Sequence, residues 1–439
     1  MLGAFTSAFR TPDLRKKLLF TLLMIVIYRL GASLPTPNTN SHAIQQRLDA
    51  ANNGANKDIY SLINLFSGGA LLKLSAFALG IMPYITASII IQLLVVVIPH
   101  FDALKKQGQV GQTKLTQYSR YLTIGLAVLQ ATGFVALART GQLFPNPPAN
   151  AESILYKTDI FSLTSMVICM IAGTAVIMWM GELVTDRGVG NGMSVLMFTS
   201  IAARIPYEGQ TILQGSGGFV FTMIVALGLL IITAVVFVEQ AQRRIPVQYA
   251  KRMVGRRQYG GTSTYLPIKV NQAGVIPVIF ASSLLYIPQL ISQLVGSTSG
   301  SFYRFVQDYI VDQQSYVHIT IYVALILFFA YFYVGITFNP EERAEDMKKY
   351  GGFIPGIRPG RPTAEYLQFV LSRITLPGAI YLAVVAVIPN LAFSFSGTND
   401  TQNFPFGGTA VLIMVGVGLD TVKQIESQLL QRNYEGFLR

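Results

Sequence analysis

The stretch IFSLTSMVICMIAGTAVIMWM, Ile160–Met180, runs for 21 residues without a charged side chain. A helix rises about 1.5 Å per residue, so this stretch is long enough for the roughly 30 Å of hydrocarbon in a bilayer. Similar stretches recur near residues 18–35, 74–99, 119–138, 190–205, 217–238, 272–294, 317–338, 371–393 and 406–427. With the quoted one, near 159–181, they number about ten, and the fifth, opened by Gly190-Asn191-Gly192, is the shortest. The runs are continuous and not alternating in steps of two, which argues for helices over a barrel. An all-α polytopic membrane protein is expected.

Composition agrees. Hydrophobic residues make up 51% of the 439 and charged ones 12%, against about a quarter charged in an ordinary soluble domain. The one cysteine, Cys169, excludes a disulfide framework and a cysteine-based metal cluster. The basic start (Arg10, Arg15, Lys16, Lys17) leads into the first apolar stretch with no A-x-A-like cleavage site after it, so that stretch is expected to be a retained span.

An even number of spans puts both termini on one side. With the N-terminus in the cytoplasm, 25 of the 33 Lys and Arg residues fall on the cytoplasmic face and 8 in or near the other. That asymmetry is the positive-inside pattern and predicts cytoplasmic termini. The net charge of +12 is thus mostly topological.

Departures from plain apolar helix carry the functional signal. Residues 61–70, Ser-Leu-Ile-Asn-Leu-Phe-Ser-Gly-Gly-Ala, are apolar but too short to cross. They fit either a re-entrant half-helix inside a pore or a short helix on the outer surface. Within the second span, Gly80 and Pro83 predict a break in regularity. Ile81 and Ile85 are four apart, as are Met193 and Met197, so each pair shares a helix face. The polar residues within spans are mild ones, Thr86, Gln92 and Asn271, suited to interhelical hydrogen bonds of about 1 kcal/mol each. Glu182, Glu239 and Asp420 fall at expected cytoplasmic ends, which is poor material for an ion-coupled pump needing mid-membrane acids.

Two cytoplasmic loops stand out. Residues 242–270 hold Arg243, Arg244, Lys251, Arg252, Arg256, Arg257 and Lys269 with no acid, interleaved with Tyr249, Tyr259 and Tyr265. Such a stretch suits phosphate-rich RNA or acidic protein, or serves topology alone. Residues 339–370 include Gly352-Phe353-Ile354-Pro355-Gly356-Ile357-Arg358-Pro359-Gly360, a stiff tip that presents Arg358. Three histidines, His42, His100 and His318, form no H-E-x-x-H motif, and G-x-S-x-G is missing too, so no enzyme chemistry is expected.

Phe66–Leu71, Ala78–Ile85, Arg187–Gly192, Val275–Ser283, Phe353–Gly360 and Phe406–Thr409 together resemble the SecY/Sec61-alpha family, the central channel subunits of the Sec protein translocase. The resemblance runs from the first span to the last. It implies a clamshell of two inverted five-span halves, roughly residues 1–205 and 206–439, that passes unfolded polypeptides and releases apolar segments sideways into lipid.

By motif position, the family's apolar pore ring corresponds to Ile81, Ile85, Met193, Met197, Ile279 and Ile413. Its plug corresponds to the segment near 61–70, with Leu62, Ile63, Leu65, Phe66, Ser67, Gly68 and Gly69. Spans two and three against seven and eight would form a lateral gate, with Thr86, Gln92 and Asn271 as its polar cluster. The basic loops (Arg243, Arg244, Lys251, Arg252, Arg256, Arg257, Arg358) would dock the ribosome and the SecA motor ATPase. SecE and SecG are the implied membrane partners, signal-bearing proteins the substrates, the bacterial plasma membrane the location, and no cofactor is implied. A secondary transporter for a small solute is the alternative that broken helices also suit.

Overall fold

The computed structural model describes residues 9, 11–52, 69–70, 73–140, 153–249, 252–254, 257–259, 263–294, 309, 315–396 and 408–435. Helix α1 (Pro12–Ser33) carries the first apolar stretch and α2 (Ser41–Asn52) follows it. The second stretch becomes α3 (Met82–Val97), bent by 98° into α4 (Pro99–Lys106). Then come α5 (Gln109–Thr140), α6 (Ile160–Arg187), the short α7 (Gly192–Ala202) and α8 (Ile205–Gln240). The later helices are α9 (Ile276–Leu294), α10 (Tyr316–Thr337), α11 (Pro340–Lys349), α12 (Arg361–Ser396) and α13 (Gly408–Glu435).

Among the described residues, five helices are long and apolar enough to cross a membrane on their own, and six if the bent pair counts as one span. Shorter apolar helices at Gly192–Ala202 and Ile276–Leu285 add to these. With 11 residues, α7 reaches only about 16 Å, consistent with the fifth stretch being the shortest. Large apolar side chains face outward, including Leu129, Phe161, Trp179 and Phe237. A soluble domain avoids contiguous apolar surface of this kind; in lipid it is solvated.

The second stretch differs from its expected form. It is helical only from Met82, because Leu74 (φ 46°) and Gly80 (φ 55°) turn the chain out of helical geometry. Pro83 sits in the first turn of α3, where a missing N–H costs nothing, so it starts the helix and does not interrupt one. The irregular run before it is buried at Leu74, Ser75, Phe77, Ala78 and Leu79. Its backbone groups find partners: Leu74 O accepts from Thr36 N (3.0 Å) and Thr36 Oγ1 (2.8 Å), and Ala76 N donates to Leu34 O (2.8 Å). Non-helical backbone survives at membrane depth only when satisfied in this way.

The helices pack in two groups. In the first, α3 lies on α5, α5 on α6, and α6 on α1 and α7; in the second, α9 lies on α10, α10 on α12, and α13 on α8 and α12. The groups meet where α13 touches α7 and where α9 touches α3 and α5. This is the two-part, mostly helical clamshell that the sequence predicts.

To these helices the structure adds a small sheet. Strand β1 (Gln242–Tyr249) pairs antiparallel with β4 (Ser263–Lys269), and β2 (Arg252–Val254) pairs with β3 (Arg257–Tyr259). Strand β5 (Gly352–Phe353) joins the other edge of β1, giving the order β4-β1-β5. Alternation along β1 buries Ile245 among Ile268, Ile354 and Leu367, buries Val247 beside Gly352, and leaves Arg243 and Arg244 exposed.

Candidate functional site

Ile81, Met197, Ile279 and Ile413 are buried in one apolar cluster, with Ile85 and Met193 packed against it. Six residues from four separate chain segments thus meet between the two helix groups. Each segment reaches the cluster for a local reason.

Ile81 is the N-terminal cap residue of α3, and Ile85 N donates to Ile81 O at 3.1 Å, so Ile85 lies one turn further along the same face. Met193 and Met197 are aimed by the turn Arg187–Gly192. Gly190 takes φ +86°, and the Asn191 side chain caps α7 by accepting from Met193 N (3.1 Å) and Ser194 N (3.4 Å). Such a side-chain cap satisfies donors that the first helical turn leaves orphaned. Gly192 N donates to Thr185 Oγ1 at 2.9 Å, and a Cβ on Gly192 would stand 1.9 Å from Gly181 O. Glycine at 192 is therefore what lets α7 lie directly on α6.

On the opposite side, Ile279 sits in the first turn of α9, its N–H donating to Val275 O at 3.3 Å. Val275 lies against Gly416 of α13, where an added Cβ would meet Val275 Cγ2 at 2.8 Å. That close approach sets Ile413, 0% exposed, beside Ile279 in the same cluster.

Of the residues 62–69, only Gly69 (φ 90°) belongs to the described part; Leu62, Ile63, Leu65, Phe66, Ser67 and Gly68 lie outside the described residues. The described residues that lead into α3 are held tightly. Phe77 stacks on Tyr28 with ring centroids 6.1 Å apart, and Tyr28 shares a buried 2.7 Å hydrogen bond with Ser200.

The polar trio is dispersed. Thr86 Oγ1 donates to Met82 O of its own helix (3.0 Å), and Gln92 is exposed. Asn271 is buried and its amide donates to Glu239 Oε1 (2.5 Å) and Gly274 O (3.1 Å). Close to this pair, Lys269 Nζ stands 3.6 Å from Asp420 Oδ1. The sequence reading placed Glu239 at a helix end but missed its bond to Asn271, because no spacing rule links residues 32 apart. What does fill the contact between α3 and α9 is apolar: Ile89, Ile85 and Leu93 pack with Val278, Phe280 and Ala281.

The two basic loops are brought together. Gln248 pairs with Phe353 and Tyr249 with Gly352, so the strand carrying Arg243 and Arg244 borders the tip carrying Arg358. The Arg244 guanidinium lies 4.9 Å from the Tyr265 ring centroid, a cation–π contact that keeps it upright on the sheet. Arg358 is exposed; its carbonyl accepts from Thr363 Oγ1 (2.9 Å), and Gly356 and Gly360 supply positive φ on either side. Arg252 and Arg257 lie on the β2–β3 pair, while Lys251 and Arg256 lie outside the described residues.

Comparison with known proteins gives a consistent result. A family model described as SecY matches residues 75–422. The protein translocase subunit SecY of Mycobacterium tuberculosis (strain ATCC 25618 / H37Rv) is 64% identical over 444 residues, covering 100% of both chains. That of Streptomyces coelicolor is 61% identical over 443 residues with the same coverage. Among solved structures, one described as a protein conducting channel superposes with a TM-score of 0.63 at 19% identity, covering 94% of this chain and 92% of the other. Sec61 in a canine ribosome-channel complex gives 0.59 at 18% identity, with 94% and 92% covered. At these identities the structural likeness speaks for the fold alone.

Proposed function

The chain belongs to the SecY family and is the protein-conducting channel subunit of a Sec translocase, and on that premise we propose how its residues divide the work. The family is one of membrane channels and not of enzymes, and a small-solute transporter is set aside.

The polypeptide passes through a ring made by Ile81, Ile85, Met193, Met197, Ile279 and Ile413. The observation that carries this reading is their convergence on one apolar cluster between the two helix groups. An apolar constriction offers no hydrogen-bond partner to hold a passing chain, and it dewets when the chain has left. Met193 and Met197, unbranched and flexible, let the opening follow side chains of different size.

The segment near 61–70 acts as the plug. The seam of α3 and α5 against α9 and α10 is the lateral gate, through which an apolar signal helix leaves for lipid. Asn271, tied to Glu239, sets the entry of α9 beside it, whereas Thr86 bonds within its own helix and Gln92 is exposed. Because the seam is closed by side chains such as Ile89 and Phe280, an apolar helix can replace those contacts at little cost in burial.

Arg358 and the basic hairpin, with Arg243, Arg244, Lys251, Arg252, Arg256 and Arg257, form the cytoplasmic docking face for the SecA motor ATPase and for the ribosome. SecE and SecG complete the membrane complex in the plasma membrane, with both termini in the cytoplasm. The clamshell divides at residues 205/206. Purified complex in proteoliposomes tests the reading: signal-dependent entry of a radiolabelled secretory precursor is expected. Saturable uptake of a small solute with no precursor entry would overturn it.

A further inference from the structure

Arg120 of α5 and Glu182 of α6 form a two-pronged ion pair: Nε donates to Oε1 at 2.8 Å and Nη2 to Oε2 at 2.7 Å. Fork-on-fork geometry of this kind fixes orientation as well as distance. Tyr84, adjacent to the ring residue Ile85, lies within electrostatic reach of both charges, and Asp186 within reach of Arg120.

The location of the pair gives it a job. The half of α5 nearer its C-terminus packs apolar side chains on α6: Ala127, Ala131 and Phe134 cluster with Met166 and Met170. The half nearer its N-terminus packs instead on α3, with Leu115 and Leu122 against Ile91 and Val95. Where α5 has thus turned its apolar face to α3, the ion pair ties it to α6 as well. On the other side of the seam, α9 touches both α3 and α5.

We propose that Arg120–Glu182 is a strap that makes α3 and α5 move with α6, so that its strength sets how readily the seam opens and how apolar a signal must be to open it. Both are positioning residues; neither is one of the six ring residues. With the strap tied, separating α5 from α9 means turning the whole first helix group. With it cut, α3 and the adjacent half of α5 swing out together, hinged on the apolar contacts near Ala131. The inference rests on the gate reading above.

The test measures export of a precursor with a shortened apolar signal core relative to the same precursor with its intact core. Arg120→Gln and Glu182→Gln are each expected to raise that ratio about fivefold, the population shift that a partly exposed ion pair can supply. Arg120→Glu combined with Glu182→Arg restores the wild-type ratio. An unchanged ratio in the single variants, or an exchange variant that behaves like them, would overturn the strap. Glu182→Gln, equal in shape to the native residue, keeps the test readable if the Arg120 variants fail to accumulate.

A separate arm addresses the gate itself. Ile89→Cys with Ala281→Cys, joined by a short bifunctional thiol reagent, should block export. Block with an unchanged signal ratio in the strap variants discards the strap alone; continued export through the joined seam discards the gate reading beneath it.

Discussion

Gln248 and Phe353 are paired residues of an antiparallel ladder, although 105 positions separate them. This pairing makes one face of two loops that lie on either side of α9 and α10. A basic hairpin alone would be a mobile polycation. Fastened along β1, it holds Arg243 and Arg244 at a set spacing from the Arg358 tip.

Arg358→Glu should therefore reduce motor-driven export at least about tenfold, since one interfacial charge reversal costs several kcal/mol, while the membrane complex still assembles. Phe353→Pro, which removes no charge, should produce part of the same loss by breaking the edge strand. Precursor processing read alongside co-purification of the small subunits checks both. Full export in Phe353→Pro would mean that the two loops act independently.

The irregular run before α3 is held by close backbone packing. A Cβ on Gly173 would stand 1.9 Å from Ala76 O, whereas one on Gly125 meets nothing within 4 Å. Gly173→Ala should lower stability by about 1–3 kcal/mol through overpacking. Gly125→Ala should be neutral or raise it by up to about 1 kcal/mol through helix propensity. Thermal unfolding in detergent separates the two; equal Tm values would mean that the run yields and is not held.

The bond from Asn271 to Glu239 fastens the entry of α9 to the end of α8. Asn271→Ala leaves the half-buried carboxylate without that donor and should cost about 1–3 kcal/mol. Asn271→Asp should cost more, since it sets two carboxylates face to face, and adding Glu239→Gln should recover part of the loss by restoring a donor and an acceptor. A double-mutant cycle on Tm reads the coupling. Additive effects would contradict the bond.

The cluster of ring residues should also seal. Ile413→Asn places an amide where the side chain is fully buried and should raise ion leak through empty proteoliposomes at least about tenfold, because a polar group stabilises water in the constriction. Met193→Ile with Met197→Ile should lower the leak. Stopped-flow ion flux measures both, and a leak unchanged by Ile413→Asn would move the constriction elsewhere.

Much of this was legible in the residues, and the limits follow physical lines. Apolar runs revealed helices because lipid demands them, and every expected stretch overlaps an observed helix, although several begin before it. The turn before α7 was legible as a motif, since Gly190 and Asn191 do local jobs: a positive φ and a cap. The start of α3 was not. Pro83 looks alike whether it breaks a helix or begins one, and Leu74 at φ 46° leaves no mark in composition. Arg120–Glu182 and the β1–β5 pairing were hidden because they join residues far apart in sequence, which local pattern does not encode. The ring was read by family resemblance, and its convergence is visible only in three dimensions.

The central claim is that a secretory chain threads the cluster around Ile279. A photo-activatable residue placed at position 279, in membranes holding a precursor stalled in mid-transit, tests it most directly. The account predicts a covalent adduct between this chain and the translocating segment, lost when the signal is deleted. Adducts with lipid alone, or none while position 89 on the facing helix captures the same segment, would contradict it.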